Sequence, residues 1–335
     1  MGFQYFSYML AYFIVLFGAS YGVQYFDPEL YWKSVLPNTP IPKVVTDLLP
    51  SRKDHDLARL TPEPTVEVAP YKPAQLPIAL PITLPITLPA ITLTSYATAT
   101  SDDQNNINSN IYEGIFFLEN DINKPGNRIK TNLNFIINNT TRPTLFLPRQ
   151  IAQSIPFSSK KLLEIFTKFS LKPHSIEAEM VKKTIKECEE DNDHDHDEHY
   201  CATSLESMVD FTTSKIGKNI QAISTQVAMK NNDHQYYHFT TITQVEKKRK
   251  SSSIVVCHKQ NYPFAVFYCH SLQDVEAYVV NLEEEGNDNK VIAICHEDTS
   301  QWNPKHLAFQ ILKVKPGTVP ICHFLPQLHI LWIQN

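Results

Sequence analysis

This chain of 335 residues contains little glycine and has no excess of positive charge. The chain contains only 8 glycines and neither a Walker nor a Rossmann fingerprint, which argues against a glycine-rich loop that cradles phosphate. Its 30 basic side chains are outnumbered by 35 acidic ones, and the formal net charge of -5 provides no basic field for nucleic acid. We therefore expect no nucleic-acid partner.

The chain also lacks an apolar run long enough to span a membrane, although a shorter apolar run lies near its start. Residues 6–17 read FSYMLAYFIVLF, whereas a helix that spans a bilayer needs roughly 20 apolar residues. Small residues follow between positions 18 and 22, as a signal-peptidase site requires. We predict that residues 1–22 are a cleaved secretory signal peptide, so that the mature protein carries no stable membrane span. An uncleaved anchor or a buried helix is the alternative, because no Lys or Arg precedes the run.

Cysteine is absent from the first 187 residues, whereas 13 of the 23 prolines lie in the first 100. Residues 23–61 form an N-terminal segment that either docks on the main domain or stays loosely ordered. Residues 62–110 contain the repeat LPIA-LPIT-LPIT-LPAIT. Because its prolines block both helix and central strand, this Pro-rich segment is predicted to be extended. It serves either as a spacer or as a segment that lies in a groove.

Residues 111–335 are predicted to form the folded domain. KKLLEIFTKF and the stretch after Ser175 keep helical spacing, and a third helix is predicted over 203–215. The second helix is predicted to bury one face, made of Ile176, Met180, Val181 and Ile185. From residue 219 onward the period changes to two, in runs such as AVFYCH, VIAICH and LAFQILKV. The predicted fold class is α+β, with helices followed by a largely antiparallel β-sheet.

The cysteines are predicted to form disulfides, because their number is even and the predicted compartment is oxidising. They are Cys188, Cys201, Cys257, Cys269, Cys295 and Cys322. The sequence alone does not choose among their connectivities. Overlapping sequons make Asn138 and Asn139 the candidate N-glycosylation sites, in keeping with a secreted protein.

Four Cys-His dipeptides each end an apolar run that looks like a strand. The runs are IVVCH, AVFYCH, VIAICH and TVPICH. Successive side chains of a strand point to opposite faces, so each dipeptide directs its sulfur to one face and its imidazole to the other. Four such strands could form disulfides on one side and gather histidines on the other.

The dipeptides follow the pattern CH-x10-CH-x24-CH-x25-CH-x8-W, which ends at Trp332. This pattern resembles the BURP domain of plant proteins, since nine fixed positions agree over 76 residues. The stretch FFLENDINKPG at the start of the domain and the stretch around Cys188 and Cys201 are also similar to the family. The resemblance covers roughly residues 111–335. The earlier stretch YWKSVLPNTPIPK resembles BURP proteins of the unknown-seed-protein and dehydration-responsive type.

The resemblance implies a plant protein of the secretory pathway, located in the cell wall or vacuole and associated with seed development or stress. In this family the histidines of the CH pairs bind copper, so the implied ligands are His258, His270, His296 and His323. Imidazole suits Cu(II). Zinc is the physical alternative, although zinc sites with cysteine ligands usually show C-x2-4-C spacing. A cell-wall polymer or a peptide is the implied partner.

Some members of the family are copper-dependent peptide cyclases, which oxidatively join an aromatic side chain to another residue of a core peptide. Two functions are therefore implied, a copper-binding protein without enzymatic activity and an oxidative cyclase. No tryptophan lies in the repeat region. Tyr96, which follows the repeat, is the first candidate for a core residue, and an ordinary tail tyrosine is the alternative.

Other clusters allow more than one interpretation. Residues 191–200, DNDHDHDEHY, either bind a metal weakly or form a solvated loop closed by a Cys188–Cys201 disulfide. The basic run at 247–250 is either a surface turn or a site for processing or for contact with a polyanion of the cell wall. His306 and His329 are either extra ligands or hydrogen-bonding groups of the core. No persuasive Ser-His-Asp or Cys-His nucleophile pattern is present.

Overall fold

The structure is a computed structural model of the chain. It describes residues 27–50, 114–131, 144–190, 198–227, 238–248, 253–284 and 287–335. Several predicted features lie outside these ranges: the signal peptide, the Pro-rich repeat with Tyr96, the sequons at Asn138 and Asn139, and residues 191–197 of the acidic histidine cluster.

Two antiparallel β-sheets form the centre of the domain. The six-stranded sheet has the order β1-β10-β9-β8-β5-β2, and its strands are Phe116–Leu118, Ile321–Phe324, Asn287–His296, Val275–Glu284, His238–Lys247 and Arg128–Thr131. The five-stranded sheet has the order β3-β7-β6-β11-β4, and its strands are His199–Ala202, Phe267–Leu272, Ile254–Lys259, Ile330–Gln334 and Ile220–Ile223. Every described strand pair is antiparallel, so the predicted α+β fold with an antiparallel sheet is confirmed.

Short helices precede and cover the sheets. In chain order they are α1 Pro28–Val35, α2 Lys43–Thr46, α3 Glu119–Ile122, α4 Arg149–Gln153, α5 Leu162–Lys168, α6 Ile176–Glu189, α7 Leu205–Ile216 and α8 Leu307–Leu312. Side-chain caps start several of them. The hydroxyl of Ser175 accepts a hydrogen bond from Ala178 N at the start of α6, and Ser204 accepts one from Ser207 N at the start of α7.

The strand period of two assigns the apolar side chains to distinct core layers. Between the sheets, Val256 and Leu331 of the five-stranded sheet pack with Ile294 and Ile321 of the six-stranded sheet. On the outer face of the five-stranded sheet, alternate residues such as Trp332 pack beneath α7 and residues of α1 and α2. The site described below lies in the layer between the sheets.

Residues 27–50, here called the docked segment, pack on the outer face of the five-stranded sheet. Trp32, Leu36, Val45 and Leu48 of this segment are buried in the same apolar cluster as Trp332. Of the two possibilities left open by the sequence, docking on the main domain is the one observed for these residues.

The prediction of a strand for LAFQILKV is wrong, because residues 307–312 form helix α8. Three consecutive side chains, those of residues 307–309, are buried. A strand with one solvated face would bury alternate residues, whereas a short helix can turn three neighbours toward a core. Lys313 ends the helix in the left-handed region, with φ 56°.

The predicted buried face of the second helix also needs one correction. Val181 and Ile185 are buried as expected, together with Ala178 and Thr184. Ile176, however, is 56% exposed. It is the first residue of α6, directly after the Ser175 cap, and the buried stripe begins two residues later, at Ala178.

Three disulfides connect the cysteines as Cys188–Cys201, Cys257–Cys269 and Cys295–Cys322. The disulfide prediction is therefore confirmed, including the Cys188–Cys201 pair. Every helix within the described ranges falls short of the length and apolarity that crossing a bilayer requires.

Replacing Cys188 and Cys201 together by alanine should lower the free energy of unfolding by about 3 kcal/mol, because the unfolded chain regains loop-closure entropy. The disulfide joins α6 to β3 across a sequence separation of 13. Urea unfolding followed by circular dichroism measures the change. The matched pair Cys188→Ser with Cys201→Ser should show the same loss, and unfolding curves that coincide with the wild type would contradict the expectation.

Candidate metal centre

Each Cys-His dipeptide in β6 and β7 places its sulfur outside and its imidazole inside the pair of sheets. Cys257 and Cys269 are directly opposite each other across the two strands, with Cα atoms 4.0 Å apart, and their disulfide packs in the outer cluster that contains Trp332. Because neighbouring side chains alternate, His258 and His270 point toward the layer between the sheets.

The strands β9 and β10 repeat this arrangement in the other sheet. Cys295 and Cys322 are directly opposite each other, again with Cα atoms 4.0 Å apart, and their disulfide packs on the outer face of the six-stranded sheet beside Phe324. His296 and His323 therefore also point inward. The histidines of the two sheets face one another across the layer between the sheets, as the strand alternation predicted for each dipeptide.

The first histidine cluster lies on four neighbouring strands of the five-stranded sheet. Its members are His199 of β3, His270 of β7, His258 of β6 and His329, which directly precedes β11. The Nε2 atoms of His258 and His270 are 3.0 Å apart, and the Nδ1 atoms of His258 and His329 are 2.9 Å apart. A neutral imidazole offers one donor and one acceptor, so His258 can satisfy both ring nitrogens through its two neighbours. His199 is in register with His270 on the edge strand β3 and stacks on Tyr268.

The second histidine cluster consists of His296, His306 and His323. The Nε2 atoms of His296 and His323 are 3.4 Å apart. Trp302 contacts both His296 and His306, with ring centroids 5.0 and 4.7 Å away. His306 also caps α8, because its Nδ1 accepts a hydrogen bond from Ala308 N. This contact assigns His306 the core hydrogen-bonding role that the sequence left as one of two alternatives.

Burial keeps five imidazoles neutral at physiological pH, those of His258, His270, His296, His323 and His329. It lowers the pKa of His270 and of His323 to about 4, and that of His329 to about 3. The pKa of His258 is held well below its ordinary value first by burial and then by neighbouring histidines of both sheets. The same causes lower the pKa of His296. The two clusters are therefore close enough to influence each other electrostatically.

A buried lysine adjoins the first cluster. Lys259 is 8% exposed, and burial lowers the pKa of its ammonium group to about 7. Its Nζ donates a hydrogen bond to the carbonyl oxygen of Gln260 and lies 5.9 Å from the centroid of the Phe267 ring. Positive charge at this lysine helps to lower the pKa of His329, after the larger effect of burial and that of His323.

The structure brings together the four predicted histidines and, in the first histidine cluster, adds two that the sequence did not assign. His329 had been left open between a ligand and a core group, and His199 had been grouped with the acidic stretch before it. Their placement depends on which strands are neighbours, β11 beside β6 and β3 beside β7, and strand order has no local signal in the sequence. Sequence reasoning could find only the histidines of the Cys-His dipeptides, because each dipeptide ends a similar apolar run.

The donor chemistry fits a copper ion at the paired imidazoles. All six cysteines are oxidised, so the available ligands near the dipeptides are nitrogen atoms. Two imidazole nitrogens bound side by side to one metal at about 2 Å are themselves ~2.8–3.3 Å apart. The separations of 3.0 and 3.4 Å within the two pairs lie in or near this interval. Imidazole suits both copper and zinc, and at equal ligands copper binds more tightly.

The fit concerns the imidazole pairs, not a completed coordination shell. Within the described ranges, no group of three or more His, Cys, Asp or Glu side chains is placed to hold a metal ion. The pair His258–His270 and the pair His296–His323 are therefore the candidate ligand units.

A protein-family model described as the BURP domain matches residues 115–334. Among curated proteins, BURP domain protein RD22 of Arabidopsis thaliana is 53% identical over 193 residues, which are 57% of this chain and 48% of that protein. BURP domain-containing protein 3 of Oryza sativa subsp. japonica is 43% identical over 223 residues, 66% of this chain and 51% of that protein. The chain thus spans about half the length of these two relatives.

A third relative aligns along most of both chains. BURP domain-containing protein 5 of Oryza sativa subsp. japonica is 37% identical over 313 residues, which cover 92% of this chain and 87% of that protein. The similarity therefore extends beyond the two sheets toward the N-terminal part of the chain.

The buried histidines should make the metal-free protein acid-sensitive well above the range in which most carboxylates titrate. Their pKa values are lower in the folded chain than the ordinary value near 6.5 in the unfolded chain, so the unfolded chain binds more protons in acid. The stability that they contribute is complete above pH ~6.5 and is lost as the pH falls toward about 4. Urea unfolding at a series of pH values, with a chelator present, measures this slope.

The variant His270→Gln isolates the contribution of one imidazole to the slope. Glutamine keeps an amide near the Nε2 position but does not titrate, so the slope should decrease by up to about 1.4 kcal/mol per pH unit. His174→Gln is the matched control, because the side chain of His174 is exposed, and its slope should equal that of the wild type. Equal slopes for His270→Gln and the wild type would contradict the assignment.

Proposed function

Since this chain belongs to the plant BURP-domain family, we propose that it is a secreted copper-binding protein of the cell wall or vacuole, with a role in seed development or stress. The copper is bound by the imidazole pairs of the Cys-His dipeptides. One observation carries the proposal. Two disulfide-linked strand pairs, one in each sheet, direct four neutral histidines into the same layer of the domain.

The surrounding structure supports metal binding more than ordinary core packing. A buried imidazole can be satisfied by carbonyl or hydroxyl partners, yet His258 and His270 approach each other through the nitrogen atoms that metals bind. His296 and His323 do the same across the other strand pair. Their lowered pKa values keep these imidazoles neutral at neutral pH, so each ring has one unprotonated nitrogen and protons compete less with a metal.

The disulfides hold the ligand pairs in place. Cys257–Cys269 and Cys295–Cys322 each lie one residue before the histidines along their strands. A cross-link at that position limits the sliding of the strands, so the imidazoles keep their separation before a metal arrives. Such preorganisation lowers the ordering cost of binding.

The proposed compartment follows from the same bonds. Three disulfides persist in an oxidising environment and are uncommon in the cytosol. The apolar run over residues 6–17, followed by small residues, provides the signal for export. A polymer of the cell wall or a peptide is the proposed partner.

A second candidate function is oxidative peptide cyclisation, and the exposure of the site favours it. His270, His296 and Trp302 are partly exposed, so a side chain of a peptide could approach the candidate ligands from solvent. Bound copper would supply one-electron redox chemistry. The imidazole pairs of this chain would hold the metal, and Trp302 would offer an aromatic surface to the reacting peptide at that edge.

Copper binding should depend on both imidazole pairs. We expect the wild type to bind one Cu(II) ion for each pair, and His258→Gln combined with His296→Gln to lose both, because each pair is left with a single imidazole. Metal analysis after gel filtration and electron paramagnetic resonance measure the stoichiometry and the nitrogen ligation.

The matched control for this experiment is His174→Gln, which removes an exposed imidazole outside the clusters and should bind as the wild type does. Near-ultraviolet circular dichroism verifies that the double variant is folded. Unchanged copper stoichiometry in a folded double variant would refute the ligand assignment.

If the chain is a cyclase, incubation with Cu(II) and oxygen should remove the mass of two hydrogen atoms from it or from an added tyrosine-containing peptide. The hydrogens leave as the new bond forms, and oxygen takes them up as hydrogen peroxide. Fragment mass spectrometry should locate the change within residues 62–112, and Tyr96→Phe should abolish it if that tyrosine is the donor. A copper-loaded chain without any mass change in air would count against the cyclase and leave the copper proposal intact.

A further inference from the structure

The docked segment is part of the folded core although it lies outside the residues that define the family domain. The family model begins at residue 115, whereas the docked segment comprises residues 27–50. Trp32, Val45 and Leu48 of this segment are each 0% exposed. Such burial is what a helix of the core shows, not what a tail resting on a surface shows.

The central contact of this interface joins two tryptophans. The ring of Trp32 lies 5.1 Å from the ring of Trp332, centroid to centroid, at an interplanar angle of 32°. The indole Nε1 of Trp32 donates a hydrogen bond to Thr39 O at 2.8 Å, within the docked segment itself. Trp32 therefore enters the apolar cluster with its polar atom already satisfied, which is the property of a good anchor residue.

Two hydrogen bonds to backbone carbonyl oxygens fix the register of the docked segment on the domain. Thr39 donates through its hydroxyl to Ile220 O at 2.7 Å, next to the start of β4. The amide of Phe146 donates to Leu48 O at 2.8 Å. The two hydrogen bonds therefore give the segment one defined position on the domain.

A polar rim closes one side of the interface. The hydroxyl of Tyr31 donates to Asp210 of α7, and the guanidinium of Arg149 forms an ion pair with the same carboxylate at 2.5 Å. Arg149 also lies over the ring of Tyr31, 5.1 Å from its centroid. An apolar centre with a polar rim is the anatomy of a protein–protein interface.

No covalent bond other than the chain itself ties the docked segment to the domain. All six cysteines are paired with each other between residues 188 and 322. In the sequence, residues 51–113 connect the docked segment to the part of the domain that the structure describes from residue 114 onward.

We propose that the docked segment is a self-contained binding element that remains on the domain after the chain is cut between residues 51 and 113. The surface formed by Trp332, α7 and the start of β4 is its receptor. Proteolysis in the connecting residues would then yield a protein of two non-covalently associated chains. The proposal does not depend on copper binding or on cyclisation.

The test uses the full chain with one recognition sequence for a specific protease inserted between Thr100 and Ser101. After cleavage, native gel filtration with intact mass spectrometry should show both fragments in one peak at a ratio of 1:1. Non-reducing denaturing electrophoresis should separate them. Elution of the wild-type N-terminal fragment apart from the domain in native buffer would overturn the proposal.

Variants of α1 test the anchor. In the cut protein, Trp32→Ala should speed the release of the fragment at least ten-fold, measured by exchange with a labelled fragment. The matched control is Leu30→Ala on the same helix, because Leu30 is 62% exposed, and it should leave the release rate unchanged. If the uncut Trp32→Ala chain does not fold, Trp32→Leu takes its place. Equal release rates for the anchor variant and Leu30→Ala would also overturn the proposal.

Discussion

The cross-strand pairing of adjacent Cys-His dipeptides is the constraint on which the rest of this structure depends. A disulfide between directly opposed residues requires both sulfurs on the same face of a sheet, and strand alternation then sends both following imidazoles to the other face. In this domain the outer faces receive Cys257–Cys269 and Cys295–Cys322. The imidazoles therefore lie between the sheets, where burial lowers their pKa values.

Four inward-pointing histidines would be costly if each were charged or unsatisfied. The domain meets this cost by pairing ring nitrogens with ring nitrogens, as between His258 and its neighbours His270 and His329. Lowered pKa values follow from the same burial and keep the pairs neutral. Mutual satisfaction of the ring nitrogens and a spacing that suits metal ligation are thus two consequences of one arrangement.

Strand β11 links the histidine layer to the docked segment. Leu331 faces the layer between the sheets, Trp332 faces outward to Trp32, and His329 precedes the strand beside His258. Helix α1 therefore packs on the outer side of β11, and His329 of the first histidine cluster directly precedes that strand. This connection explains physically why a tryptophan belongs to the same spaced pattern as the Cys-His dipeptides: it anchors the outer face of the sheet whose inner face carries imidazoles.

The sequence by itself determined the disulfide-bonded α+β class, the four Cys-His dipeptides and the opposition of sulfur to imidazole, because these depend on local period and on a repeated context. It misassigned residues 307–312, where a short apolar run fits helix and strand equally. Only the tertiary structure decided the pairing of the four cysteines in the Cys-His dipeptides, the addition of His199 and His329 and the docking of Trp32. Each of these depends on which distant elements become neighbours, and that choice is made by the packing of the whole core.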